Sequence, residues 1–262
     1  MNLDLSGRTA LVCGSSSGIG RACAVELAAL GASCVLLARD ADKLKSAIAE
    51  LPVKGQKHHA LAADLSKPAA ARDAVAAWLT QWGVSIHIVI NNTGGPPAGA
   101  AIDATPDQLL AAFNSQLIAA QMLVQLTVPG MKAAKYGRII NITSTSVKSP
   151  IPGLAISNIV RPAVAAWAKC LATELGPHGI TVNNILPGYT KTDRLASLFK
   201  NRAAKQGLSE SQIEADVIAS TPAGRLGDPA EIAAAVAFLA SPAAAYINGI
   251  NLPVDGGRLG TL

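Results

Sequence analysis

Gly14, Gly18 and Gly20 punctuate the stretch CGSSSGIGRA, which joins an apolar run to a helical pattern. Glycine lets a backbone turn tightly and approach a ligand closely, and the start of a helix offers unpaired N–H groups to an anion. The stretch is a candidate cradle for a phosphate or pyrophosphate, although its spacing, GxxxGxG, departs from the familiar GxGxxG. Other residues suited to chemistry are sparse. Cys13, Cys23, Cys34 and Cys170 show neither CxxC nor any metal-ligand spacing. No metal is therefore expected, and the cysteines read as buried free thiols of a reducing compartment. His58 and His59 open a strand pattern and are expected to be remote from the loop.

The elements that must position the loop follow from hydropathy. Strand-length apolar runs (TALVC, ASCVLLA, HHALAAD, IHIVIN, GRIINIT, GITVNNIL, GINLPVDGG) alternate with helical patterns, including long ones over 106–134 and 155–176. Strands apolar on both faces and separated by helices imply a parallel sheet covered on both sides. Right-handed crossovers make it doubly wound and Rossmann-like. No repeat or linker interrupts it, so residues 1–262 are expected to form one domain. Its least sheet-like excursion, about 189–226, is a candidate substrate lid.

Half of the chain is hydrophobic and 15% is charged, which supports a sizeable core. The net charge of +5 fits either an ordinary basic surface or attraction of an anionic substrate or carrier. Lys and Arg are scattered without an aromatic-basic patch, so no nucleic acid partner is expected. No apolar run reaches the ~20 residues of a membrane span, and MNLDLSGRT does not read as a secretory signal. A cytoplasmic protein with no membrane contact is expected.

Several motifs then occur in a fixed order. GSSSGIG, ADL at 63–65, NNTG at 91–94, GRIINITS, NNILPGYTKTD, TPAGRLGDPAEIAAAVAFLAS and INGINLPVDGG span nearly the whole chain. Together they resemble the short-chain dehydrogenase/reductase family, near the β-ketoacyl carrier-protein reductases. The resemblance implies a dinucleotide site built from Gly14, Ser16, Ser17, Gly18, Ile19 and Gly20, from Asp64 and Leu65 at the adenine, and from Asn92, Thr93 and Gly94. Pro187, Gly188, Thr190 and Thr192 would surround the nicotinamide. Asp64 reads equally as a turn residue before SKP. In members that prefer NAD, the second strand tends to end in Asp; here Ala38 is followed by Arg39. A guanidinium pairs bidentately with a phosphate, which favours NADP(H). The alternative is that Arg39 caps a loop and Asp40 takes the ribose.

The family's reaction centre uses Asn, Ser, Tyr and Lys. Counting without gaps places Gln116, Ser144, Ser157 and Arg161 at those positions, so only the serine is retained. A serine hydroxyl cannot be tuned as a neutral-pH acid in the way a phenol can, and arginine keeps its proton. Ser144, Ser157 and Arg161 can still bind an oxygen carrying negative charge, and Arg161 is also expected to hold the nicotinamide ribose. Tyr189, directly after Pro187–Gly188, is the one tyrosine with a route to the substrate; packing beneath the lid is its other reading. The resemblance thus implies an NADPH-dependent oxidoreductase of a ketone, 3-oxoacyl or acyl thioester substrate with an altered proton relay. A weak or inactive NADP-binding subunit is the alternative. Lys191, Arg194, Lys200, Arg202 and Lys205 make the lid either a solvated face or a docking surface for a carrier phosphate. The long helices and the C-terminal segment resemble family interfaces and imply a homotetramer.

Overall fold

The computed structural model describes residues 1–261, and Leu262, the last residue of the expected domain, lies outside the described residues. Seven strands form one sheet: β1 (Thr9–Cys13), β2 (Ser33–Ala38), β3 (His59–Ala62), β4 (Ile88–Asn91), β5 (Gly137–Ile142), β6 (Ile180–Pro187) and β7 (Asn251–Val254). Their order is β3-β2-β1-β4-β5-β6-β7, and every neighbouring pair is parallel. The chain moves outward from β1 to β3, then returns to the other side of β1 with β4. That reversal leaves a crevice beyond the C-terminal ends of β1 and β4, where ligands of doubly wound sheets bind. The fold class is the one the alternating pattern implies.

The helices are α1 (Gly18–Ala29), α2 (Ala41–Ala49), α3 (Pro68–Trp82), α4 (Pro106–Phe113), α5 (Ala119–Ala134), α6 (Ala155–Leu175), α7 (Asp193–Gln206), α8 (Glu210–Ala219) and α9 (Pro229–Ala240). Successive strand side chains point to opposite faces, so each strand feeds two cores. Ala10 and Val12 of β1 join Leu27, Leu44, Val236 and Leu239 from α1, α2 and α9. Leu11 and Cys13 join Val75, Leu123 and Ala168 from α3, α5 and α6. The expected lid folds as α7 and α8 around a small core of its own, with Leu195, Phe199, Ile213 and Val217 buried in it.

Three sequence expectations need correction. The continuous helix expected over 106–134 contains a π-helical turn at Asn114–Ile118, between α4 and α5. The whole run Pro106–Ala134, 29 residues, is long and apolar enough to cross a membrane by length and composition. A count of consecutive apolar residues missed it because polar residues interrupt the run. One face of it packs on α3, α6 and β5. Finally, burial pushes the thiols of Cys13, Cys23 and Cys34 up to about 12, leaving them protonated, but Cys170 is exposed. It lies on α6 between Ala168 and Ala172, whose side chains take the buried face.

Candidate active site

The glycine loop is held as a close-packed turn. A Cβ on Gly20 would stand 2.2 Å from the Gly14 carbonyl oxygen, so α1 meets β1 at a distance only glycine allows. Asn92 Nδ2 donates to the carbonyls of Cys13 at 3.3 Å and Gly14 at 3.2 Å, tying the end of β4 to the loop. Ser17 begins α1 in extended conformation, and its side chain makes no capping bond. The first-turn N–H groups are therefore left for an anion. The start of α7 packs on the same loop: a Cβ on Gly18 would meet Thr192 Cγ2 at 3.2 Å. Thr192 starts α7, accepting from Leu195 N–H at 3.3 Å and donating to Thr190 O at 3.2 Å. Thr190 donates in turn to Gly188 O at 3.2 Å.

At the end of β2, Arg39 is exposed and makes no ion pair among the described residues. Asp40 is the N-cap of α2, its Oδ1 accepting from Asp42 N–H at 3.1 Å and Lys43 N–H at 3.0 Å. Asp64 forms the turn its alternative reading described, accepting from Ser66 N–H at 2.9 Å. That bond, together with the positive charges of Arg39 and Lys67, lowers the Asp64 carboxyl below its usual range. Arg39 and Asp64 thus stand near one another across the ends of β2 and β3.

Ser144 follows β5 in extended conformation and accepts from Ser146 N–H at 3.1 Å. Arg161 reaches this strand end from α6, its Nη1 donating to Ile142 O at 2.6 Å and Thr143 O at 2.9 Å. Ser157 lies one turn earlier on the same helix, at the i, i+4 spacing that shares a face. Gln116 is buried within the π-helical turn. Its Nε2 and the Nε of Arg161 are both buried without a partner, and both residues line one cleft with Leu65, Asn92 and Thr93. Asn114, two residues earlier in the same turn, is exposed. Burial, and secondarily the charge of Arg194, lowers the Arg161 guanidinium to about 10. It remains cationic at neutral pH. Because the unfolded chain holds this proton more tightly, stability gains from Arg161 only as pH rises above about 10.

Tyr189 packs as its second reading described. Its ring lies 6.4 Å from that of Phe199 beneath the lid, while its hydroxyl accepts from Arg258 Nη2 at 3.4 Å. Tyr136 is remote: its buried hydroxyl donates to Ala240 O at 2.5 Å. On the lid, Lys191 pairs with Asp228 at 3.7 Å, and Arg194 turns inward to donate to Pro96 O at 2.5 Å. Lys200, Arg202 and Lys205 are exposed.

Residues 14–258 match the protein family described as enoyl-(acyl carrier protein) reductase. The chain belongs to the short-chain dehydrogenase/reductase family. It is 31% identical over 257 residues to the NADPH-dependent reductase BacG of Bacillus subtilis, covering 97% of this chain and 99% of that one. It is 34% identical over 260 residues to the 3-oxoacyl-[acyl-carrier-protein] reductase FabG of Pseudomonas aeruginosa, covering 97% and 98%. The crystal structure of L-sorbose reductase from Gluconobacter frateurii, complexed with NADPH and L-sorbose, superimposes with a TM-score of 0.92 at 32% identity, covering both chains fully.

In this short-chain dehydrogenase/reductase two features of the site escaped sequence reading. The first is an asparagine ladder across the four strands β4 to β7. Asn91 Nδ2 donates to Asn141 Oδ1 at 2.8 Å, Asn141 Nδ2 to Asn184 Oδ1 at 2.8 Å, and Asn184 Nδ2 to Asn251 Oδ1 at 2.9 Å. The four residues are register partners in β4, β5, β6 and β7. An asparagine in each of these strands was the available signal. The second is Arg258, brought to Thr145 and Tyr189 by the chain after β7.

Proposed function

We propose that the chain is an NADPH-dependent oxidoreductase acting on a ketone or 3-oxoacyl carbonyl, with a proton relay that lacks the usual phenol. The observation that carries this reading is the cofactor cradle. Gly14 and Gly20 pack where a side chain would not fit, the α1 N–H groups are uncapped, and Arg39 forms no ion pair among the described residues while Asp40 caps α2. Gly14, Ser16, Ser17, Gly18, Ile19 and Gly20 would hold the pyrophosphate, Arg39 the 2′-phosphate, and Asp64 and Leu65 the adenine. Asn92, Thr93, Gly94, Pro187, Gly188, Thr190 and Thr192 would enclose the nicotinamide end. The bound cofactor supplies the hydride. Ser144 and Ser157 hold the substrate oxygen, and Arg161 stabilises its developing charge. Water provides the proton, with Tyr189 as the competing donor. NADPH dependence in BacG and bound NADPH in the sorbose reductase support the choice of cofactor.

Titrating NADPH and NADH into the wild type and Arg39→Ala tests it. The wild type should prefer NADPH, and the substitution should remove about 1–3 kcal/mol of that preference, roughly 5–150-fold. Equal wild-type affinities for the two cofactors would defeat the assignment. A screen of carbonyl compounds with NADPH then asks for turnover.

One observation favours the second reading, an NADP-binding subunit without turnover. Arg161 Nη1 is fixed on two strand carbonyls, and Ser157 makes no hydrogen bond among the described residues. A homotetramer is proposed on either reading. Leu110, Ile118 and Ile159 are 61%, 40% and 43% exposed on α4, the π-helical turn and α6, an apolar surface suited to a second copy. Light scattering at micromolar concentration should give four chains, and a monomer would refute it. A cytoplasmic location fits the protonated, unbridged thiols.

A further inference from the structure

Three guanidinium groups approach the C-terminal end of β5, and none of them is ion-paired among the described residues. Arg161 comes from α6, Arg194 from α7 and Arg258 from the tail after β7. Arg161 holds the carbonyls of Ile142 and Thr143, while Arg258 Nη1 donates to Thr145 Oγ1 at 3.4 Å. Ser144 lies between those two attachment points. The two cations thus attach to the residues on either side of Ser144.

Of the three, Arg258 is the one held most loosely. Arg161 Nη1 is committed to two carbonyls, and Arg194 Nη2 is committed to Pro96 O. Arg258 has only two side-chain contacts with hydroxyls, both at the outer limit of 3.4 Å, and its guanidinium carbon lies 4.5 Å from the centre of the Tyr189 ring. An aromatic neighbour of this kind orients a guanidinium and leaves in-plane N–H groups for a planar acceptor. The turn that delivers Arg258 is specifically built. Gly256 and Gly257 adopt φ of 65° and 83°, and the Asp255 carboxylate accepts from the N–H groups of Gly257 at 3.0 Å and Leu259 at 2.8 Å. Asp255, the acid next to Arg258 in the chain, is thus turned to backbone.

We infer that Arg258 binds the carboxylate of a short oxo acid whose ketone oxygen rests on Ser144, so that the substrate class is the free oxo acid and not the neutral ketone or thioester. This rests on the proposed role of Ser144 at the substrate oxygen.

The test is calorimetric titration of acetoacetate and levulinate, each against its methyl ester, into the full-length protein. It is made with NADP+ present, so that no hydride is available, and again without cofactor. At least one acid should bind about tenfold more tightly than its ester. Arg258→Gln should abolish the difference, and Arg258→Lys should retain part of it, with melting curves confirming that both variants fold. Equal affinity of acid and ester for both pairs in the wild type, no binding of any of the four, or a preference that survives Arg258→Gln would overturn the inference. NADPH titrated alone separates the two readings. If it fails to bind, the cofactor assignment falls, whereas the acid preference is still decided in the cofactor-free arm.

Discussion

Replacing Ser157 by tyrosine and Arg161 by lysine together should raise kcat/KM for ketone reduction by about 10²–10⁴-fold. That is the usual worth of a positioned general acid. The two residues occupy one face of α6 at i, i+4, and Arg161 reaches the strand end that carries Ser144. A phenol at 157 would bring a titratable proton to that face. A lysine at 161 would place a point charge there without the fork that now holds the carbonyls of Ile142 and Thr143. Both changes are needed on this argument, because the guanidinium lies where an ammonium would have to move to lower the phenol pKa. Ser157→Tyr alone should therefore gain less than the pair. The measurement is steady-state reduction over a ketone and oxo-acid panel, with NADPH affinity followed separately. If the double variant binds NADPH as the wild type does and gains nothing on any substrate, a missing acid is not what distinguishes this site.

The parts of the molecule that depend on local pattern were legible in the chain. Mostly apolar runs such as TALVC and GRIINI become strands buried on both faces, because a doubly covered sheet leaves no solvent face to alternate with. The glycine loop was legible for a similar reason: only glycine tolerates the 2.2 Å approach between positions 20 and 14. Features that join distant parts of the chain were not. Arg258 acquires its neighbours through a left-handed glycine turn that brings it 113 residues back to Thr145. The π-helical turn shifts Gln116 off regular helical geometry without a breaker residue to announce it, and such turns are frequent at functional sites. The pairing of Lys191 with Asp228 was likewise hidden, since no local spacing relates the two.

The asparagine ladder leads to the second large effect. Asn141→Leu should lower global stability by about 2–6 kcal/mol, because two buried groups lose their only side-chain partners at about 1–3 kcal/mol each. Asn91 Nδ2 would have no acceptor and Asn184 Oδ1 no donor, and both residues are buried, 8% and 2% exposed. The ladder runs in one direction, each amide donating to the next strand, so flipping one amide breaks two contacts and gives no local remedy. Denaturant midpoints should fall with an unchanged m-value, and Asn251→Leu, at the exposed end where water can replace the lost bond, should cost distinctly less. An Asn141→Leu protein within about 0.5 kcal/mol of wild type would show that the ladder contributes little. The same variant links stability to function. Asn91 precedes the Asn92 that grips the glycine loop, and Asn251 begins the strand that leads to Asp255 and Arg258. Loosening the ladder at its centre should therefore weaken NADPH binding even at temperatures where the protein remains folded, since the cradle and the substrate end are then no longer held by a common row of side chains.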